Sequence, residues 1–321
     1  MKKYLVYINY LAFAMLGLVL LWLSFKQTNI TEIGEVLQTG NYWVILPVSS
    51  VSVMVYLARV MRWQLLFGGV QLNAPRNYLF ASLATGYLVN FAIPRLGEIT
   101  RALVLKRSLN FPINTSLSTI ILERLVDVLS LALILSIAFV LELGSSQSVL
   151  LQFTKDVVWV TPTKLLILLG FLGIATLVCF QVRKRKDLVS KWINELLGNL
   201  FSLLKIKQKI PFLFHTIIIW VGFYLMTYLW IFMFEESSKL SAYDAFLVMV
   251  LGVVARSLPI QAGSAGAYHF VVGQALLFLG VSLGTGNALA IVIHGFQTII
   301  TLVLGFSAYF WLLYKSKNVS T

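Results

Sequence analysis

The sequence predicts an all-α polytopic membrane protein with six spanning helices, two re-entrant elements broken by Pro and Gly, and an inverted repeat. Three observations predict this architecture. Hydrophobic residues make up 59% of the 321 residues and charged residues only 12%, against about 25% charged in an average soluble domain. Long apolar runs recur along the chain, and the basic residues that account for the net charge of +13 are unevenly distributed.

The six predicted spans are apolar runs of about the 20 residues that a helix needs to cross a bilayer. They cover residues 4–24, 43–66, 116–141, 163–182, 212–234 and 287–314. The first run is longer than the apolar core of a typical secretory signal, and Ser24-Phe25-Lys26 is a poor cleavage site. We therefore expect it to be a retained first helix.

Basic residues set the orientation, because cytoplasmic loops are enriched in Lys and Arg. They cluster at positions 2–3, 59–76, 95–107, 183–209 and 315–317, whereas the loops 25–42, 142–162 and 235–241 are neutral or slightly acidic. The clusters are therefore expected on the cytoplasmic side, together with both termini.

The re-entrant elements follow from this orientation. Residues 78–93 lie between two cytoplasmic clusters, so they are expected to enter the membrane and return; residues 242–283 do the same from the outer side. Pro94 and Gly97 break the first element, and Pro259, Gly263 and Gly266 break the second. Matching broken segments in two inverted halves indicate a transporter-like site between the halves.

The chain is thus one integral-membrane domain, 1–321, with repeats at about 43–141 and 212–314. The alternative is two ordinary Pro-kinked helices in each half. The basic loop 183–211 has the spacing of an amphipathic helix on the inner leaflet, and the alternative there is a loop that only sets topology. At this length it cannot hold a soluble catalytic domain.

Several function classes are excluded or made improbable by residue counts. The chain has one cysteine, Cys179, and three scattered histidines, so we expect no disulfide, metal centre or cofactor. It has no nucleotide-binding motif, and its charges flank apolar runs rather than forming a nucleic-acid motif. We expect a protein that is not an enzyme and whose partners are membrane lipids.

Charged residues inside the apolar runs are the candidate site, because a charge at a helix centre costs about 2.5–3.5 kcal/mol on insertion scales. Glu123 and Asp127 are four residues apart and share a helix face, while Arg124 projects about 100° away. The carboxylates need a positive partner or a wet cavity, and Arg101, Arg95 and Arg256 are the candidate partners. One interpretation is a polar lining that contacts a headgroup, and the other is an internal ion-pair lock.

Three further positions, Glu98, His269 and His294, complete the candidate set. Glu98 and Arg101 are adjacent on the helix expected after Pro94, and arginine can bind phosphate bidentately; the alternative is ordinary cytoplasmic arginines at a helix mouth. In the second half, Arg256, His269 and His294 are polar residues in apolar surroundings. For the histidines, the alternative is a hydrogen-bonded core residue.

Arg59 and Arg62 stand beside Trp63 at a predicted cytoplasmic helix end. Anchoring at the interface accounts for most of that pattern, and Arg59 is a secondary site candidate.

These residues also carry a resemblance. The order and spacing of three motifs resemble the lysylphosphatidylglycerol synthase transmembrane region, or flippase-like domain family, over nearly the whole chain: Arg59-x-x-Arg62-Trp63, Asn90-x-x-x-Pro94-Arg95-x-Gly97-Glu98-x-x-Arg101 and Glu123-Arg124-x-x-Asp127. In the second half, His269 stands where that family tends to have Glu, and His294 near its expected Arg. The soluble aminoacyl-transferring domain of fused members is absent from this sequence.

The resemblance implies a flippase-like protein of a bacterial or archaeal plasma membrane that translocates a phospholipid or lipid-linked headgroup, with anionic headgroups as partners. The alternatives are an ion-coupled carrier of a small soluble solute and the membrane subunit of a lipid-modifying enzyme. A second copy of the chain and a lipid-synthesis enzyme are the protein partners left open.

Overall fold

The computed structural model describes residues 15–26, 28, 30–142, 208–258 and 260–317. The predicted span 163–182, Cys179 and nearly all of the basic loop 183–211 lie outside the described residues. So does the first part of the predicted span 4–24.

The described residues form helices joined by short connections, and no strand occurs among them. In the first half the helices are α1 (Met15–Phe25), α2 (Ile30–Gln38), α3 (Ile45–Gly69), α4 (Arg76–Ala92), α5 (Leu96–Leu109) and α6 (Ile113–Glu142). In the second half they are α7 (Lys209–Trp230), α8 (Ala242–Ser257), α9 (Gln261–Phe278) and α10 (Leu283–Lys317). Single 3-10 turns lie at Tyr42–Val44, Ile231–Met233 and Ser237–Lys239. The all-α prediction is confirmed.

Four stretches are long and apolar enough to cross a membrane, and each contains or nearly matches one predicted span. They are Tyr42–Gly69, Ile113–Glu142, Lys209–Met233 and Leu283–Ser316. The first predicted span is represented by the shorter apolar helix α1. The chain is therefore a multi-pass helical membrane protein.

Helices α4 and α5 form a tight antiparallel hairpin. The sequence places the return within 78–93, but residues 76–92 are one uninterrupted helix and the return limb is α5. The reversal occurs at Pro94, which lacks an N–H, and at Arg95, whose φ of 70° is left-handed. The two limbs approach closely at Gly86 and Gly97, since a Cβ on Gly97 would meet the Gly86 carbonyl oxygen.

Helices α8 and α9 form the corresponding hairpin of the second half. Three successive residues after its connection, Ala262, Gly263 and Ser264, have φ of 52°, 63° and 62°, a left-handed turn inside an otherwise right-handed segment. The Ser264 hydroxyl donates to the Leu258 carbonyl at 2.7 Å and closes this turn. The break therefore lies where the Pro and Gly residues of 259–266 predict it.

The two halves pack against each other through antiparallel helix pairs. Between α3 and α7, a Cβ on Gly222 would meet Val55. Between α4 and α10, the Tyr78 and Trp311 rings lie 5.1 Å apart, and small residues at the other end of the contact let the backbones approach. The larger apolar core, around Trp230, joins the halves, because it contains Val48 and Val55 of α3 beside residues of α7–α10; a second core around Trp63 lies almost entirely in the first half.

Candidate functional site

A buried ion-pair cluster on α3, α5 and α6 holds most of the charges that the sequence singles out. Glu123 of α6 is fully buried, and its two carboxylate oxygens face different arginines. Arg101 Nη2 lies 2.7 Å from Oε2, and Arg62 Nη2 lies 3.2 Å from Oε1. Glu123 therefore joins α6 to both α5 and α3 at a point that solvent does not reach.

Asp127, one turn further along α6, continues the cluster towards a cavity. Arg62 Nη1 lies 2.7 Å from Oδ1, while Arg124 Nη2 and Arg59 Nη1 lie 3.4 Å and 3.8 Å from Oδ2. Arg124 starts from a different face of α6, but its long side chain folds back to reach the carboxylates. Four arginines thus surround two carboxylates, and the cluster carries an excess of positive charge.

Trp63 is the apolar support of this cluster. It is fully buried, and the Arg101 guanidinium lies over its ring at 3.9 Å. Its indole N–H donates to Thr119 Oγ1 at 2.9 Å. The ring thereby fixes Arg101 against α6 in a position where its charge points at Glu123, because a cation is attracted to an aromatic face.

Asn90 organises the start of α5. Its side-chain oxygen accepts the Gly97 N–H at 2.6 Å, and its amide donates to both oxygens of Glu98 at 3.3–3.4 Å. Helix N-termini leave backbone N–H groups without partners inside the helix. Asn90 satisfies one of them from the neighbouring α4 and orients Glu98, which explains the Asn, Gly and Glu of the second motif.

A cavity of about 550 Å³ lies between the two halves. Its walls are made by α3–α6 on one side and α7–α10 on the other. The charged residues that line it are Arg59, Arg95, Glu98, Arg124, Asp127 and Arg256. Four guanidiniums face two carboxylates there, so the net charge of the lining is positive.

The second half contributes an arginine of a different kind. The Arg256 guanidinium lies over the Tyr268 ring at 4.0 Å, and no ion pair joins it to a carboxylate among the described residues. Arg95 crosses from the first half, and its Nη2 donates to the Ser257 carbonyl at 3.1 Å. Arg95 and Arg256, neither of which has a carboxylate partner among the described residues, therefore line the same wall of the cavity, near the end of α8.

The two histidines lie together beside this wall. The His269 and His294 ring centroids are 5.1 Å apart. His294 Nε2 lies 3.0 Å from the Ala262 carbonyl in the left-handed turn, and His269 Nδ1 lies 2.5 Å from the Ala265 carbonyl. Contact between these two residues, which stand near the positions of a Glu and an Arg in the resemblance, is thus observed.

Six of the nine predicted site residues line the cavity and three do not. Arg95, Glu98, Arg124, Asp127, Arg256 and His294 line the cavity. Arg101 and Glu123 form an ion pair buried between the helices and do not line the cavity. His269 contacts the lining through His294.

Arg62 is the residue that sequence reasoning missed. Its place at an apparent helix end beside Trp63 indicates an interface anchor, yet it is fully buried and contacts both carboxylates. The available signal is its i, i+3 spacing from Arg59, which lines the cavity.

A family model described as the lysylphosphatidylglycerol synthase TM region matches residues 9–305. This chain belongs to that family. The match covers both halves and confirms the resemblance that the three motifs indicate. Family membership makes this a membrane protein related to lipid handling. Neither a curated protein nor a solved structure matches the chain.

Proposed function

We propose that the protein translocates phospholipid headgroups across the membrane, and that the cavity between its halves is the headgroup site. The observation that carries the proposal is a positively charged cavity, lined by four guanidiniums and two carboxylates, at the contact between two halves of a lipid-handling membrane protein.

The charge of the cavity favours an anionic headgroup. Arginine presents paired N–H donors that match two phosphate oxygens at once. Arg95 and Arg256 have no carboxylate partner among the described residues, so a bound phosphate would not have to displace one. The volume of about 550 Å³ is within the range of about 300–1,000 Å³ for small-molecule sites.

The border of the cavity favours a lipid over a soluble solute. Val128 of α6 and Leu258 after α8 both line it, and their exposed fractions are 62% and 43%. Such apolar residues on a spanning protein face acyl chains. A lipid could keep its chains against this border while its headgroup contacts the arginines.

The order of elements supports an inverted repeat with re-entrant hairpins. In each half a long helix is followed by a short hairpin and a second long helix: α3, α4–α5 and α6, then α7, α8–α9 and α10. The first helices of the two proposed repeats, α3 and α7, are antiparallel, as an inverted relation requires. The hairpin limbs of 14–18 residues are shorter than the four stretches that are long and apolar enough to cross a membrane.

The hairpin tips meet across the cavity, and their contact is suited to act as a gate. Arg95 at the first tip bonds to the Ser257 carbonyl at the end of α8. A Cβ on Gly263 would lie 3.8 Å from the Phe91 ring. Separating these contacts on one side of the membrane at a time would give alternating access to the headgroup site.

The proposed setting is a plasma membrane with both termini in the cytoplasm, and the proposed partners are anionic lipids. A second copy of the chain or a lipid-synthesis enzyme remains a proposed protein partner. Translocation would be downhill or coupled to an ion gradient.

The test is lipid movement in proteoliposomes, read from the accessibility of headgroup-labelled lipids to an impermeant quencher. The informative variant is Arg95→Gln, which removes an exposed, cavity-lining guanidinium that has no carboxylate partner among the described residues. Its matched control is Arg107→Gln, the same change at an exposed position near the other end of α5, outside the cavity lining.

We expect anionic lipids to move faster than in protein-free vesicles, Arg95→Gln to slow that movement at least about tenfold, and Arg107→Gln to leave it unchanged. No movement for any headgroup would overturn the proposal. Counterflow of a soluble anion without lipid movement would replace it with a solute carrier.

A further inference from the structure

We propose that the His269–His294 pair is a proton-binding site that fills together with the anion site at Arg256 and Arg95. One proton then accompanies each phosphate-bearing anion. This inference rests on the proposed function and names the ion that couples to it.

The hydrogen bonds of the pair fix where a proton can go. A carbonyl oxygen only accepts, so the nitrogens that contact Ala265 and Ala262, His269 Nδ1 and His294 Nε2, must carry hydrogen. The remaining nitrogens, His269 Nε2 and His294 Nδ1, then hold lone pairs. No donor from the described part of the chain reaches either of them. Each imidazole therefore has one vacant proton position.

The distance between the rings limits the pair to one added proton. With centroids 5.1 Å apart, a second imidazolium would stand beside the first in surroundings of low polarity, where like charges repel strongly. A single proton on either vacant nitrogen avoids that repulsion. The expected stoichiometry is one proton for two histidines.

Binding of that proton depends on Arg256, whose positive charge lies near the pair. It lies over Tyr268, whose ring is 6.1 Å from His294 and 6.3 Å from His269. Among the described residues around the pair, α1 presents Phe25, the end of α4 presents Phe91, and α9 presents Tyr268. The guanidinium of α8 is thus the charged group next to the pair, and it opposes a second positive charge.

An anion at Arg256 reverses this opposition. Arg95 donates to the carbonyl of Ser257, the residue after Arg256, and both arginines line the same cavity. A phosphodiester bound there neutralises the local positive charge and favours the imidazolium. By linkage, protonation of the histidines raises the affinity for the anion by the same factor.

The experiment measures binding, so that it does not depend on transport. The wild-type chain in nanodiscs of zwitterionic lipid is titrated calorimetrically with dihexanoylphosphatidylglycerol, in two buffers of different protonation enthalpy. A second arm uses glycerophosphoglycerol, the same headgroup without acyl chains. Neither phosphodiester titrates near neutral pH, so any proton taken up belongs to the protein.

We expect uptake of about one proton per bound anion, and an affinity that falls about tenfold per pH unit as pH rises through the range in which the pair titrates. The variant His269→Gln/His294→Gln should bind the anion with no proton uptake and no pH dependence. The control His215→Gln should behave as the wild type, because His215 makes the same i−4 carbonyl contact on α7 and does not line the cavity.

The outcomes separate this inference from the proposed function. Anion binding without proton uptake in the wild type overturns the proton site and leaves the headgroup site standing. Uptake that persists in the double variant also overturns it, since the proton would then bind elsewhere. No binding of either anion at any pH overturns the headgroup site, and the inference with it. Binding in the lipid arm alone identifies a lipid as the source of the headgroup.

The pH dependence of the anion affinity and the proton uptake are measured on the wild type. A double variant that fails to fold therefore does not remove the test. In that case Arg256→Gln takes its place. This variant should lower the affinity for the anion and reduce the number of protons taken up per bound anion. Full coupled uptake in Arg256→Gln would overturn the inference.

Discussion

The two halves of the molecule treat their charges in opposite ways. In the first half, Glu123 and Asp127 are surrounded by arginines, and the innermost pairs are inaccessible to solvent. In the second half, carboxylates receive hydrogen bonds from serine instead: Ser282 donates to Glu236, and Ser241 and Asp244 form a capping box. Arg256 is left without a carboxylate partner among the described residues.

This difference separates structural charges from charges available to a ligand. A buried charge whose partner is removed is strongly destabilising, so the first-half cluster must remain paired to stay folded. Arg256 is stacked on Tyr268 and has no carboxylate partner among the described residues, so it can bind an anion without breaking an ion pair. The first half is therefore a frame, and the wall at Arg256 and Arg95 is the responsive part of the cavity.

The largest expected effect is on the frame. Glu123→Gln should lower the free energy of unfolding by about 3–5 kcal/mol, because it leaves the buried Arg62 and Arg101 without their shared carboxylate. The measurement is thermal unfolding in detergent, followed by circular dichroism. The control is Glu35→Gln, at an exposed position of α2. Wild-type stability of Glu123→Gln would mean that the buried pairs do not hold the helices together.

The hairpin of the first half should be the next most sensitive point. Gly97→Ala should destabilise the protein by about 1–3 kcal/mol, because its Cβ would meet the Gly86 carbonyl and the Asn90 side chain and push α4 from α5. Gly68→Ala is the matched control, since a Cβ there meets nothing within 4 Å. Equal melting temperatures for the two variants would contradict the close approach of the hairpin limbs.

A smaller effect is expected at Arg256 of the second half, which has no carboxylate partner among the described residues. Arg256→Gln should change the free energy of unfolding by no more than about 1–2 kcal/mol, the size of a cation–π contact, because no buried carboxylate is left behind. Arg62→Gln, measured in the same unfolding assay, should cost clearly more. If the two variants were equally destabilised, the distinction between the frame and Arg256 would fail.

The smallest effect concerns acid sensitivity outside the spans. Partial burial raises the pKa of the Glu236 carboxyl, but hydrogen bonds from Ser282 and Thr285 outweigh it and hold this pKa below its ordinary value. A lowered folded pKa contributes stability above the unfolded pKa, and that stability is lost as pH falls through the folded value. Glu236→Gln should therefore lower stability slightly at neutral pH and flatten the acid limb of the stability profile, because the contribution that acid removes from the wild type is already missing in the variant.

The acid limb is measured as melting temperature against pH, with Glu235→Gln as the neighbouring control. An unchanged acid limb in Glu236→Gln would mean that the serine contacts do not bind the carboxylate more tightly than water does.

Much of the fold follows from local sequence, and part of the site does not. Pro94 and the Pro–Gly segment 259–266 locate both hairpin turns correctly, because a missing N–H and a positive φ act within a few residues. The lengths of the hairpin limbs do not follow from the sequence: the return expected within residues 78–93 lies beyond them, because Gly86 and Gly97 pack together across the hairpin. Similarly, the sequence around Arg62 indicates an interface anchor, and its contacts with Glu123 and Asp127 become visible only when α6 packs beside α3.

The sequence by itself determined that the chain is helical and multi-pass, which segments are apolar enough to span, and which residues carry charge among them. Hydropathy and helix breaking are properties of neighbouring residues, so they can be read along the chain. Only the tertiary structure decided which charges cancel and which remain free, because Arg62 and Glu123 are 61 positions apart and meet only when α3 packs on α6. The same packing brings His269 to His294 and leaves Arg256 facing the cavity, since electrostatic pairing depends on distance in space.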